Sequence, residues 1–288
     1  MVNRKGIILA GGSGSRLFPS TKSISKQLVP IYDKPMIYYP LSTMMKAGID
    51  EILIISTPNH ISLFRNLLGD GSQFGINLFY EVQDHPGGLA QAFIIGESFI
   101  DSNPSCLILG DNIFLGAGLD ELLISANNDT KNATIFSYRV SNPTRFGVIE
   151  FDKNDNILGI EEKPKKPRSN YVVTGIYFYD SNVSKLAKEL SPSSRGELEI
   201  TDLNLKYIER GNIRLKKMSS GFTWLDTGTP ESMIEASNFI YTLEKRQGRK
   251  ISCPEEIALQ KGFISKEEFE NNLKNASGDY AEYLKTLL

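Results

Sequence analysis

The sequence predicts an α/β protein built on a mostly parallel, doubly wound sheet, and three observations predict it. Short, near-continuous apolar runs alternate with helix-length segments through the first two-thirds of the chain, as strands buried on both faces require. A glycine-rich turn follows the first of those runs, at the carboxyl end of a strand, where such sheets bind ligands. The composition, 40% hydrophobic and 23% charged over 288 residues, is that of a globular chain long enough to bury a large core.

Taken in order, residues 6–10, 52–56, 78–82 and 106–109 read as buried strands, and residues 35–47, 59–68 and 88–99 between them have helical spacing. After Asn132 the texture changes. Residues 134–139, 147–152, 157–163 and 172–179 are strand candidates with fewer long helices between them, which predicts an antiparallel or mixed extension of the sheet. Helices return at 181–190, 201–210 and 231–244, the last begun by Thr229 as a cap and Pro230 at the first helical position. From Cys253 onward three short amphipathic helices are predicted, at 254–260, 265–273 and 279–287. The division expected is a catalytic unit over 1–250, with halves at 1–132 and 133–250, and a C-terminal helical segment over 251–288.

Thirty-two basic against 34 acidic residues give a net charge of −2, and the sequence pI is about 5.9. Phosphate-backbone binding demands a basic surface, so a nucleic-acid partner is not expected. Cys106 and Cys253 lack CxxC spacing, and Cys106 sits in an apolar run, so buried thiols are expected rather than a disulfide. The N-terminal stretch is too short for a signal h-region and no apolar run reaches membrane-spanning length, which predicts a cytoplasmic protein.

The segment Lys5 to Leu17, KGIILAGGSGSRL, is a strand running into a glycine turn that lets backbone N–H groups approach phosphate oxygens. The dinucleotide fingerprint fails because Leu17 stands where its third glycine belongs, and no Gly-Lys-Ser/Thr completes a Walker pattern. What remains is GGSGSR, with the Arg16 cation beside the turn. Asp111 follows the apolar run 106–109, and Asp226 follows another, Phe222 to Leu225. Two carboxylates at strand ends make a plausible magnesium pair, or each caps a turn. Asp226-Thr227-Gly228 also spells an aspartic-protease triplet, but that chemistry needs two copies and the chain has one.

The stretch GGSGSRLFPSTKSISKQLVPIYDKPMIYYPLS resembles the sugar-1-phosphate nucleotidylyltransferases, most closely those that act on glucose 1-phosphate with a thymidine nucleotide. The resemblance continues through QDHPGGLAQAF, LGDNIF, RFGVIEFD, EEKPKKPRSNYVVTGIYFYD, GELEITDLN, WLDTGT and SCPEEIALQKGFI, so it spans nearly the whole chain. Ser15 stands where the family more often carries threonine, and keeps the hydroxyl. The resemblance implies a Rossmann-like nucleotidyltransferase fold. It also implies thymidylyl transfer from dTTP to glucose 1-phosphate, giving dTDP-glucose and pyrophosphate, as the first step of dTDP-sugar supply of the rhamnose type. Mg2+, a homotetramer and a dTDP-sugar feedback inhibitor bound near the C-terminal helices are further implications.

Residue by residue, it places Gly11, Gly14, Ser15, Arg16, Gln27, Gln83, Pro86, Gly88, Asp111 and Asn112 around the nucleotide. Gly147, Glu162, Lys163, Val173 and Tyr177 fall around the sugar phosphate, Tyr177 facing either the sugar or the core. The resemblance further implies that Arg16, Lys26, Lys163, Asp111 and Asp226 carry the catalysis, the two aspartates as metal ligands. Gln27 and Gln83 are the expected base readers, since an amide offers both a donor and an acceptor. His85 and His60 are expected to be surface residues, because a phosphate dianion needs no base. Two rival classes are a catalytically silent nucleotide-sugar sensor, which would dispense with the charged set, and a nicotinamide-dependent reductase, which would need the missing glycine. The same chemistry with UTP or CTP is a third reading.

Overall fold

The computed structural model describes residues 3–12, 14–154, 156–274 and 276–288; Ser13 of the glycine motif lies outside them. In chain order the first half contains β1 (Lys5–Leu9), β2 (Pro30–Ile31), β3 (Lys34–Pro35), α1 (Tyr38–Lys46), β4 (Glu51–Ser56), α2 (Ile61–Leu68), β5 (Asn77–Val82), α3 (Gln91–Ile95), α4 (Glu97–Ile100), β6 (Ser105–Leu109), β7 (Asn112–Gly116) and α5 (Leu119–Asn127). The second half contains β8 (Ala133–Arg139), β9 (Gly147–Phe151), β10 (Ile157–Glu162), β11 (Tyr171–Tyr179), α6 (Val183–Lys188), α7 (Ile200–Glu209), β12 (Ile213–Lys217) and β13 (Phe222–Asp226). Four helices close the chain: α8 (Pro230–Gln247), α9 (Pro254–Lys261), α10 (Lys266–Leu273) and α11 (Asp279–Lys285).

The main sheet has the order β10-β9-β11-β6-β1-β4-β5, with β8 joined to β11 and β12 to β8. β6, β1, β4 and β5 are parallel, while β11 runs antiparallel to β6, β8 and β9, so the predicted parallel half with a mixed extension is present. Alternate residues of each central strand face opposite layers. Ile8, Ile52, Ile54 and Cys106 join one apolar cluster with α1, α2 and α5, and Ile7, Leu53, Ile55 and Leu107 join another with α3, α6 and α7. Cys253, Ile257, Phe269 and Leu284 of the C-terminal segment belong to the first of these clusters. Both thiols are buried and free.

Three features depart from the sequence expectations. The helix expected over 88–99 is two short helices meeting at Gly96, which packs closely on the sheet: an added Cβ would stand 3.1 Å from Leu53 and 3.2 Å from Ile7. Beyond Gly110 the chain leaves the main sheet and forms a separate antiparallel ribbon, β7 with β13. β12, with the sequence IRLKK, also went unpredicted, because a polar edge strand lacks the apolar run that marks a buried one. The predicted start of α8 is present as a capping box: the Thr229 hydroxyl accepts the Ser232 amide, the Ser232 hydroxyl accepts the Thr229 amide, and Pro230 opens the helix.

Candidate active site

Asp111 sits at the turn where the chain passes from β6 of the main sheet into β7 of the ribbon. In that ribbon Asp226 pairs with Asn112, so the second carboxylate is delivered to the same place by strand register. The Asp111 carbonyl accepts the amide and hydroxyl of the buried Thr227, which fixes the two strand ends against each other. Lys26, from a single helical turn over Lys26–Leu28, forms an ion pair with Asp111, and Asn112 donates to the other Asp111 oxygen at 2.9 Å.

The electrostatics of the two carboxylates differ. Burial pushes the Asp111 carboxyl up, but the Lys26 charge and the bonds from Lys26 and Asn112 hold it below the ordinary aspartate range. Burial also raises Asp226, and there the Asp111 charge adds to it and outweighs Lys26, Arg16 and Arg145. Arg145, half exposed, stands 3.8 Å from Asp226. Two hard-oxygen donors, one raised by the charge of the other, are a place where a divalent cation relieves repulsion, so the pair suits magnesium. Among the described residues no group of three or more His, Cys, Asp or Glu gathers as a metal cluster.

Asp111 lines two clefts. The smaller, about 220 Å³, is bordered by Gly11, Gly12, Gln27, Gln83, Pro86 and Gly88. Gly11 brings the backbone close to Gln83: a Cβ here would stand 2.7 Å from Gln83 Oε1 and displace that amide. Gln27 is held by Ser25, which donates to its Oε1 at 2.6 Å, and Gln83 donates to Gln91 Oε1 at 2.8 Å. Gly14 adopts φ +58 and its carbonyl accepts the Thr21 hydroxyl, which shapes the loop ahead of the exposed Ser15 and Arg16. The Arg16 guanidinium packs on Gly228, beside Asp226.

The larger cavity, about 470 Å³, is bordered by Gly147, Glu162, Lys163, Val173 and Tyr177 as well as Arg16, Asp111, Asn112 and Asp226. Gly147 pairs with Glu162 across β9 and β10. Lys163 holds φ +47 and bonds Glu162 at 2.7 Å. Glu162 also accepts the Thr201 hydroxyl at 2.7 Å. A bulge in β11 between Val173 and Tyr177 turns Thr174 and Gly175 toward this wall, and the Gly175 amide donates to Asn112 Oδ1. Tyr177 packs in the core and also lines this cavity, and burial pushes its phenol well above the usual range.

Every described site residue expected from the sequence therefore falls on one of these clefts or beside them. His85 is exposed as expected, whereas His60 is half-buried at the start of α2, 3.0 Å from the Thr57 hydroxyl. Sequence reasoning missed Arg145, Arg195, Thr201, Asn204 and Trp224, all lining the larger cavity. The Thr174 hydroxyl and Asn204 Nδ2, on residues that line the larger cavity, are buried without a partner among the described residues.

The model of the nucleotidyl transferase family matches residues 5–242. The chain is 56% identical to a glucose-1-phosphate thymidylyltransferase of Xanthomonas campestris over 100% of its own length and 98% of the relative's. It is 54% identical to one from Neisseria gonorrhoeae and 49% identical to one from Mycobacterium tuberculosis, with 99% of each chain covered. A Bacillus anthracis protein assigned to the same activity and crystallised with sucrose superposes with a TM-score of 0.75 at 43% identity, over 82% of this chain and 94% of that one. A UDP-glucose pyrophosphorylase holding UDP-glucose follows at 0.73 and 27% identity, over 84% and 100%. The chain belongs to the nucleotidyl transferase family and, within it, to the glucose-1-phosphate thymidylyltransferases.

Proposed function

We propose that the chain transfers the thymidylyl group of dTTP to glucose 1-phosphate, forming dTDP-glucose and pyrophosphate by direct displacement. The observation that carries this reading is the position of Asp111, shared by a cleft edged with two glutamine amides and a cavity edged with hydroxyl-binding groups. An oxygen of the sugar phosphate forms a bond to the α-phosphorus while the bond from that phosphorus to the bridging oxygen breaks. The electron pair leaves with pyrophosphate, and no covalent enzyme intermediate is needed.

The protein's task is to gather three anionic groups in line. Arg16 and Lys26 take up charge on the triphosphate and the departing pyrophosphate, Arg16 through its planar fork. Lys163, Arg145 and Arg195 line the side from which the sugar phosphate arrives. Glu162, Thr201 and Asn204 offer acceptors and a donor to glucose hydroxyls, and Gln27 and Gln83 read the base edges. Asp111 and Asp226 would hold magnesium, which supplies neutralisation of the reacting phosphates. Because the thymine methyl is worth only about 1–3 kcal/mol in an apolar pocket, some use of UTP is expected.

The test is pyrophosphate release with magnesium and glucose 1-phosphate, offering dTTP, UTP, CTP, ATP and GTP separately beside a control without sugar. Sugar-dependent release fastest with dTTP is the expected result. Faster release with another base would keep the chemistry and change the substrate, and silence with all five would overturn the reading.

A further inference from the structure

Away from the clefts, a knot of buried charge joins two parts of the chain that the family match separates. Asp33 and Lys34 lie in the β2–β3 hairpin, inside residues 5–242, whereas Glu244 and Lys250 lie just beyond them. The Lys34 ammonium bonds Asp33 at 2.5 Å and Glu244 at 2.9 Å; Lys250 bonds Asp33 and, at 3.2 Å, Glu244. The Lys34 side chain is 1% exposed and that of Glu244 5%. Glu244 also accepts the Ile251 amide at 2.8 Å, fixing the path of the chain after α8.

Buried ion pairs contribute little net stability compared with apolar residues of the same size, and their best-attested use is to fix one geometry. The geometry fixed here is that of the nucleotide turn. The hairpin strands have two residues each, too few to hold themselves in place. The hairpin is bonded directly to the turn that carries Lys26 and Gln27: the Ile37 amide donates to the Gln27 carbonyl at 2.8 Å and the Met36 amide to the Val29 carbonyl at 3.1 Å. A displacement at Lys34 therefore reaches Gln27, and the Lys26 ion pair beside it, through a few backbone bonds.

We infer that the C-terminal segment is a positioning element for the nucleotide subsite, acting through the Asp33–Lys34–Glu244–Lys250 quartet, with Lys34 as the positioning residue that sets Lys26 and Gln27. This rests on the proposed function only in taking the smaller cleft to hold a nucleotide. The quartet is neutral as a whole, so removing one charge strains it and removing a matched pair does not.

The experiment compares wild type, Glu244→Gln, Lys250→Met and the double variant, with the nucleotide that wild type uses best. In either single variant the nucleotide KM is expected to rise and kcat to fall, kcat/KM dropping about tenfold, while the KM for glucose 1-phosphate stays near the wild-type value. The neutral double variant is expected to recover most of the loss. A fall in Tm with both KM values unchanged, or an equal rise in both, would overturn the inference and leave the quartet a purely structural device. If Glu244→Gln does not fold, Lys250→Met, altered at a more peripheral position, carries the same comparison. Should wild type turn over no nucleotide, the proposed function fails separately. Nucleotide binding followed by the fluorescence of Trp224, the single tryptophan, then decides the quartet: weakened binding in the variants supports it and equal binding overturns it.

Discussion

The carbonyl oxygen of Asp111 accepts both the amide of Thr227, at 3.2 Å, and its hydroxyl, at 2.8 Å. Through this one acceptor the end of β13 is tied to the turn between β6 and β7, so the spacing of the two carboxylates is set by backbone. Thr227→Val keeps the shape and removes the hydroxyl bond in a fully buried place. The expected cost is about 1–3 kcal/mol of stability, with a fall in kcat. A denaturant melt and initial rates check both.

Asp111 and Asp226 share a site but should answer oppositely when neutralised. Asp111 is depressed in the folded state, so its contribution to stability is present above its unfolded pKa and lost as pH falls through the folded one. Asp226 is raised, mainly by burial and then by the Asp111 charge, so stability falls as pH climbs from its unfolded to its folded pKa, and the penalty is complete above that. At a pH above both, Asp226→Asn is expected to melt higher than wild type and Asp111→Asn lower, since the latter strands Lys26. Both should lose at least about 100-fold in turnover. Calorimetry without added metal checks the ordering, and an active Asp226→Asn enzyme would remove it from the metal pair.

Much of this arrangement was legible in the sequence, for reasons that also explain what was not. β1, β4 and β6 are buried on both faces, which forces continuous apolar runs, and their carboxyl ends pointed to Gly11 and Asp111. The β7–β13 ribbon escaped because Gly110 and Asp111 mark a turn but do not say which sheet the strand after it joins. Asp226 was found as a strand end, yet its pairing with Asn112 is a matter of register that only the folded chain supplies. Arg145 and Arg195 are half-exposed arginines in turns, a context that on most surfaces means only solvation. Their place on the larger cavity comes from tertiary placement. The quartet is likewise invisible locally, since Lys34 and Glu244 are 210 residues apart.

The quartet has its own pH signature, separate from that of the clefts. Burial pushes Asp33 up, but the Lys34 and Lys250 charges outweigh it and hold its carboxyl below the usual range; its contribution is lost as pH falls through the folded pKa. Burial lowers Lys250, but its bonds to Asp33 and Glu244 raise it overall, so its contribution is full below its unfolded pKa and is lost as pH rises through the folded one. Stability supplied by the pair should thus span the range from about pH 4 to about pH 10. In Asp33→Asn the acid limb of a Tm-against-pH curve is expected to flatten relative to wild type. An unchanged limb would show that Asp33 does not carry it.

Gly175 offers the sharpest steric prediction. It lies in the β11 bulge, where a Cβ would stand 2.3 Å from Asn112 Oδ1 and 2.9 Å from Leu109 Cδ1. That same oxygen accepts the Trp224 indole N–H at 2.6 Å and the Gly175 amide at 3.2 Å, while Asn112 Nδ2 donates to Asp111. Gly175→Ala cannot be absorbed by a swing of Asn112 without breaking one of these bonds, because the side chain is buried and fixed on three sides. Overpacking of this kind costs about 1–3 kcal/mol, and the displaced Asn112 frees Asp111 from one of its two side-chain partners. The expected outcome is a folded, less stable protein with a shifted Trp224 emission and a kcat lowered about tenfold or more. Stability loss with the emission and kcat both unchanged would mean that the bulge yields by moving its own backbone, and that Asn112 does not position Asp111.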